Sequence, residues 1–172
     1  NSGRISKASS RFTFVLPMLK SRKSSMKAKI REMQEQDAPR LYEIGQACGL
    51  GSWSLESYIN EYNNPIAKYL VVEAEGQVAG FAGIWCVVDE AQVMNVGILE
   101  KYRQNGLGTL LMEALLSTAR ARGCSCMTLE VKETNTAAIC LYKKMGFSAA
   151  SIRENYYPDH VNGLMMRRGD LG

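Results

Sequence analysis

The sequence predicts a mixed α/β domain with the element order β-α-α-β-β-β-α-β-α-β-β. Three observations carry that expectation. Leu110, Leu111, Ala114, Leu115 and Thr118 recur at helical spacing, which marks one face of an amphipathic helix. Runs rich in β-branched and aromatic residues, Tyr69-Leu70-Val71-Val72 and Val78 to Val87, flank the turn signal Glu75-Gly76 and read as a hairpin. Through the second half, strand-like and helix-like segments alternate without any internal repeat.

Taken in order, Lys29 to Met33 opens the sheet. Gln36-Asp37-Ala38-Pro39 starts the first helix, with Asp37 as cap and Pro39 in the first turn. Leu41, Ile44, Ala47 and Cys48 follow at helical spacing, and Gly49 and Gly51 end it. Ser54 caps a second helix through about Tyr62, which Asn63-Asn64-Pro65 stops. The hairpin comes next, then a strand from Ala91 to Leu99. Gly108 to Arg122 is strongly helical, with Gly123 where a left-handed cap belongs. Cys126 to Val131 is a strand, and Asn135 to Met145 a helix closed by Gly146. Ser148 to Tyr156 and Leu164 to Arg168 are the last strands.

With 172 residues, 46% hydrophobic and 22% charged, the chain can bury the core of one ordinary domain. No apolar run approaches the roughly 20 residues of a membrane helix, so a soluble protein without membrane contact is expected. The formal net charge of +4 is unevenly spread: residues 1–29 hold eight of the 21 Lys and Arg and none of the 17 Asp and Glu. The body is therefore net acidic. A nucleic-acid-binding domain carries its basic patch on the folded part, so direct nucleic-acid binding is not expected of it. Residues 1–25 are read as a basic leader, vector-derived or upstream sequence, with a working arm or a transit peptide as alternatives. The domain is expected over 26–172. Cys48, Cys86, Cys124, Cys126 and Cys140 are odd in number and follow no visible signal peptide. They read as buried free thiols of a cytoplasmic protein. His160 is the single histidine, and no metal site is expected.

The stretch from Asn95 to Gly108 carries the most chemistry. A strand runs into a Gly-rich turn, and the turn opens a helix. The first helical N–H groups lack internal partners, and the helix dipole adds partial positive charge there. Such a terminus can cradle a pyrophosphate. Gly106 and Gly108 would let the backbone approach it. Taken alone, the turn fits an ordinary glycine-assisted loop equally well, since it lacks the P-loop and dinucleotide patterns.

Arg103-Gln-Asn-Gly-Leu-Gly108 matches the Arg/Gln-x-x-Gly-x-Gly/Ala motif of the GNAT acetyltransferases. Over residues 28–168 the chain resembles that superfamily, and within it the RimI-type ribosomal-protein-alanine N-acetyltransferases. The matching residues are Asp89-Glu90-Ala91, Asn95-Val96, Thr128-Leu-Glu-Val131, Asn135-x-Ala-Ala-Ile139, Leu141-Tyr142, Met145-Gly-Phe147 and Arg153-Glu-Asn-Tyr-Tyr-Pro158. The resemblance implies a GNAT fold, in which a splayed pair of parallel strands holds coenzyme A. It implies that Val96, Gly97 and Ile98 bind the pantetheine arm, and that Arg103, Gln104, Asn105, Gly106, Leu107, Gly108 and Thr109 form the pyrophosphate loop. Asn135 is then a further contact to acetyl-CoA. Glu130 matches the general base and Tyr142 the general acid. Trp53, Tyr156 and Tyr157 fall on the peptide side. Departures fall at Gly51-Ser52-Trp53-Ser54, where Pro-Trp-Ser is common, at Leu99-Glu100, which replaces an Asp/His-Pro turn, and at Gly97, where Ala is common.

Position alone leaves Glu130 a solvated charge and Tyr142 a packing residue. The implied roles are chemically apt. Aminolysis of a thioester needs a carboxylate to take the amine proton and a donor for the departing thiolate. The expected reaction is acetyl transfer to the N-terminal α-amine of a protein, with a ribosomal protein bearing N-terminal Ala as the implied partner. An α-amine of pKa near 7.7–8.0 is roughly a tenth neutral at pH 7, against well under a thousandth of a lysine. A lysine or small-amine acceptor, a non-catalytic acyl-CoA-binding module, and nucleic-acid binding through the leader are the alternatives.

Overall fold

Strands β2 (Ala67–Ala74) and β3 (Gln77–Val87) are nearly continuous apolar runs, the pattern of strands covered on both faces. They sit inside a seven-stranded sheet ordered β1-β2-β3-β4-β5-β7-β6. The other strands are β1 (Ala28–Glu32), β4 (Glu90–Ile98), β5 (Cys126–Lys132), β6 (Ser148–Arg153) and β7 (Gly163–Arg168). Helices α1 (Ala38–Ala47) and α2 (Leu55–Asn63) cover one face, while α3 (Leu107–Ala121) and α4 (Thr136–Lys144) cover the other. The order of elements is the one the sequence predicts, and most bounds move by only one or two residues. This computed structural model describes residues 26–171. The basic leader, 1–25, lies outside them.

Two cores flank the sheet. Leu41, Ile44 and Tyr58 pack on Tyr69, Val71 and Phe81 beneath α1 and α2. Leu107, Leu111, Met112 and Leu115 of α3 pack on Val72, Ala82, Ile84 and Met127. Burying a side chain of this size contributes about 1.5–3 kcal/mol. By contrast, all six residues of β6 are exposed. Among the described residues no helix is long and apolar enough to cross a membrane.

Three expectations are corrected. Asp37 does not cap α1 through its side chain. Its carboxylate instead accepts the Gln34 N–H at 2.7 Å and the Arg31 guanidinium at 2.7 and 2.9 Å, because the guanidinium on β1 is a stronger donor than a helical amide. Cys140 is exposed and not core, and only Cys124 and Cys126 of the five free thiols are buried. Tyr142 takes the inward side of α4. Finally, β6 stops at Arg153, because Asn155 adopts a left-handed backbone (φ 51°) that a strand cannot carry. Tyr156 and Tyr157 therefore belong to a loop. Ser54 does cap α2, its hydroxyl accepting the Ser57 N–H at 3.1 Å.

The feature that makes the site lies in the middle of the sheet. β4 and β5 pair in parallel only from Glu90 to Gln92, opposite Cys126 to Thr128. Beyond Gln92 each strand keeps one neighbour and loses the other. The register between β3 and β4 shifts there, with Gly83 opposite Asn95 and Ile84 opposite Val93, so Met94 is an extra residue. A bulge of this kind bends and twists its strand, here away from β5.

Candidate active site

Where β4 and β5 part, a cleft of about 660 Å³ opens between them. Gln92 to Val96 form one wall and Thr128 to Lys132 the other. Leu50, Ser52 and Trp53 of the α1–α2 loop close one rim, and Arg153, Tyr156 and Tyr157 close the opposite one. The backbone edges facing the gap have no strand partner, so an extended ligand can pair with them.

Glu130 lies on the β5 wall, its side chain 21% exposed, with Oε1 3.1 Å from Arg153 Nε. Tyr142, the seventh residue of α4, also lines the cleft and stacks edge-on against Phe147 at 6.1 Å. Burial, with a smaller contribution from nearby Tyr157, pushes its phenol above the ordinary value. Tyr142 thus keeps its proton at neutral pH. The hydrogen bond with Glu130 and then the charge of that carboxylate raise Tyr156, and burial followed by Glu130 raises Tyr157. Both rings therefore feel the Glu130 charge. They meet edge to face at 5.0 Å, and each has a cation over it: Arg153 5.4 Å from the Tyr156 ring and Lys132 5.1 Å from that of Tyr157. Such contacts hold a loop that has little core of its own. Trp53 is braced by Tyr58 at 5.5 Å.

The Gly-rich turn stands apart from the cleft, since none of residues 103–109 lines it. Gln104 and Gly106 take left-handed conformations (φ 63° and 77°), and Gly106 is the N-cap of α3. It has no side chain to cap the helix, so the N–H groups of Leu107, Gly108 and Thr109 are left to an external acceptor. Gly106 is thus demanded by backbone conformation as well as by approach to an anion. Gly108 has another reason: a Cβ there would sit 3.2 Å from Leu141 Cδ2 and 3.5 Å from Ile98 Cδ1, so the helix packs closely on α4 and β4. Leu107 is only 2% exposed, its side chain packed into the α3 core. Arg103 Nε donates to the Ile98 carbonyl at 2.9 Å, and Asn105 Nδ2 donates to the carbonyls of Tyr102 and Arg103 at 3.0 Å each. These two side chains brace the turn.

Of the three strand residues, Val96 lines the cleft. Gly97 turns to the opposite face, where a Cβ would lie 3.2 Å from Phe81 and 3.3 Å from Ile44, and Ile98 packs into the α3 core. Asn135 lines the cleft and caps α4, its Oδ1 accepting the Ala138 N–H at 3.2 Å, so its Nδ2 is the group left for a ligand. Among the cleft residues that carried no role in the sequence reading, Arg153 and Asn95 bear on the chemistry. Arg153 opens the Arg153-Glu-Asn-Tyr-Tyr-Pro158 run and was visible there as a motif residue. Asn95 was likewise visible as a motif residue, in the Asn95-Val96 match.

Comparison with known proteins agrees with this geometry. A protein of Haemophilus influenzae named ribosomal protein bS18-alanine N-acetyltransferase is 37% identical over 134 residues, 78% of this chain and 90% of its own length. The crystal structure of the ribosomal-protein-S18-alanine N-acetyltransferase from Escherichia coli superposes with a TM-score of 0.77 at 32% identity, covering 83% of this chain and 94% of that one. Ard1 from Thermoplasma volcanium gives 0.76 at 30% identity, over 84% and 99% of the two chains. The description of the acetyltransferase (GNAT) family matches residues 38–147, and with the splayed strands and the turn at α3 in place, the chain belongs to that family.

Proposed function

We propose that this chain transfers the acetyl group of acetyl-CoA to the N-terminal α-amine of a protein, with a ribosomal protein beginning with Ala as the acceptor. The observation that supports the reading is one cleft in which Glu130 and Tyr142 face the same strand gap, with aromatic residues on the outer rims.

The residues fit the donor. The uncapped start of α3 offers Leu107, Gly108 and Thr109 N–H groups to a pyrophosphate, and the left-handed backbone at Gln104 and Gly106 shapes the turn around it. The free edge of β4 at Val96 and the amide of Asn135 are placed for the arm. When bound, acetyl-CoA supplies an activated thioester. Glu130 accepts the proton of the incoming amine, directly or through one water, and Arg153 holds its carboxylate in place. Tyr142, kept protonated by burial, gives its proton to the sulfur. Tyr156, Tyr157 and Trp53 flank the entrance for the acceptor chain. No cysteine enters the scheme. The proposed compartment is the cytoplasm, where the five free thiols stay reduced.

The test is thiol release from acetyl-CoA with matched peptides carrying free Ala, free Ser or blocked N-termini, with and without an internal Lys. Peptides with a free terminus should be acetylated and blocked ones should be much poorer. Mass spectrometry showing mainly lysine modification would overturn the α-amine assignment.

A further inference from the structure

Asn95 is 5% exposed, and both its Nδ2 and its Oδ1 are buried without a hydrogen-bond partner. The Tyr69 hydroxyl beside it gives its proton to Glu61 at 2.8 Å and can accept at most one of the two Nδ2 hydrogens, which leaves Oδ1 and the other N–H unmet. An orphaned carboxamide is expensive to bury, and Leu of similar size would avoid the cost. Yet Asn95 lines the cleft, at the bulge that makes the cleft.

Its face identifies what it meets. Asn95 lies opposite Gly83 and shares its side of β4 with Gly97, which abuts Phe81, Ile44 and Cys48. That is the α1–α2 side, under the loop of Leu50, Ser52 and Trp53. The turn that opens α3, and the core beneath it, belong to the other face. Asn95 therefore faces the acceptor's side of the sheet. A carboxamide presents one acceptor and two donors in a plane, the complement of a peptide group. In an acceptor polypeptide, the first peptide carbonyl is two bonds from the α-amine. In a lysine the ε-amine is five bonds from the backbone.

We propose that Asn95 reads the first peptide group of the acceptor: Nδ2 donates to the carbonyl of its first residue, and Oδ1 accepts the N–H of its second. Asn95 is then a specificity residue that recognises a chain terminus and rejects free amino acids and side-chain amines. The assignment deepens the reading given under Proposed function and rests on it.

The test uses the full chain, Asn95→Leu, and two acceptors beginning with Ala. One is an ordinary peptide and the other has an ester oxygen in place of the first peptide N–H. The unaltered protein should use the ordinary peptide at least about 10-fold better by kcat/KM, as expected when a buried partner is left unpaired. Asn95→Leu should lose roughly 10- to 100-fold on the ordinary peptide and treat the two acceptors alike. Its acetyl-CoA affinity by calorimetry should be unchanged, and its Tm equal or higher, since an unpaired polar group has gone. Unchanged kcat/KM, a lowered Tm accounting for the loss, or a parallel fall in acetyl-CoA affinity would each overturn the assignment. If the unaltered protein fails on the ordinary peptide, the α-amine reading falls and takes this one with it; if it succeeds and Asn95→Leu matches it, only the role of Asn95 falls.

Discussion

Arg153 reaches from β6 across β7 to place Nε 3.1 Å from Oε1 of Glu130 on β5. The pair spans three adjacent strands and joins the outer rim of the cleft to its β5 wall. With Arg153 about half exposed and Glu130 21% exposed, its value to stability is small, about 0.2–1 kcal/mol. Its weight falls on orientation.

Arg153→Gln should therefore leave urea unfolding within about 1 kcal/mol of the unaltered protein while slowing turnover. A misplaced base forfeits part of the roughly 10²–10⁴-fold that general catalysis supplies, and a loss of about 10-fold in kcat with acetyl-CoA affinity unchanged is expected. Steady-state kinetics and calorimetry together check it.

Glu130→Gln preserves shape but removes the carboxylate proposed to accept the amine proton. The rate should fall by about 10²–10⁴-fold and recover partly at high pH, where more of the amine is neutral. Tyr142→Phe keeps the ring that stacks on Phe147 at 6.1 Å and removes the phenol proposed as the proton donor. Its rate should fall without that recovery. A pH–rate profile of each variant separates the two roles.

Acid stability isolates the bond between Asp37 and Arg31. Burial pushes the Asp37 carboxyl up, but the Arg31 guanidinium and the Gln34 amide outweigh it and hold it below its ordinary value of 3.8. The stabilisation it gives is complete above the unfolded value and drains away as pH falls through the folded one, below about pH 4. Asp37→Asn should cost about 1.5–3 kcal/mol at pH 7, and the gap to the unaltered protein should narrow at pH 3. Urea midpoints at the two pH values give the answer.

Gly83 has no room for a side chain, because the Tyr69 ring occupies the place of its Cβ. Gly83→Ala should destabilise by about 1–3 kcal/mol or more through overpacking, read as a lowered Tm. The Tyr69 ring is anchored by its hydroxyl at Glu61, 2.8 Å away, and cannot swing aside cheaply.

The fold was legible wherever local chemistry decides it. Ser54, Gly123 and the Glu75-Gly76 turn act on their own neighbours, and each stands where the sequence puts it. That Glu130 and Tyr142 line one cleft was suggested by the family resemblance and not by position, which left them a solvated charge and a packing residue. What escaped depends on distant pairing. Arg153 and Glu130 meet only because β7 returns between their strands. The extra residue at Met94 has no composition of its own, so the alternation of β4 gives no hint that Asn95 turns to the α1–α2 side. The early end of β6 follows from the backbone of Asn155, in a run whose aromatic residues otherwise read as strand.

Because β6 exposes every one of its six side chains, the proposed acceptor rim and the proposed donor seat differ in how freely they can vary. Substitutions along β6 and the loop after it change little apolar burial, whereas those around α3 strike the core directly. One acyl-transfer engine can thus be redirected to new polypeptide termini by altering an edge strand, with most of the folding energy left intact.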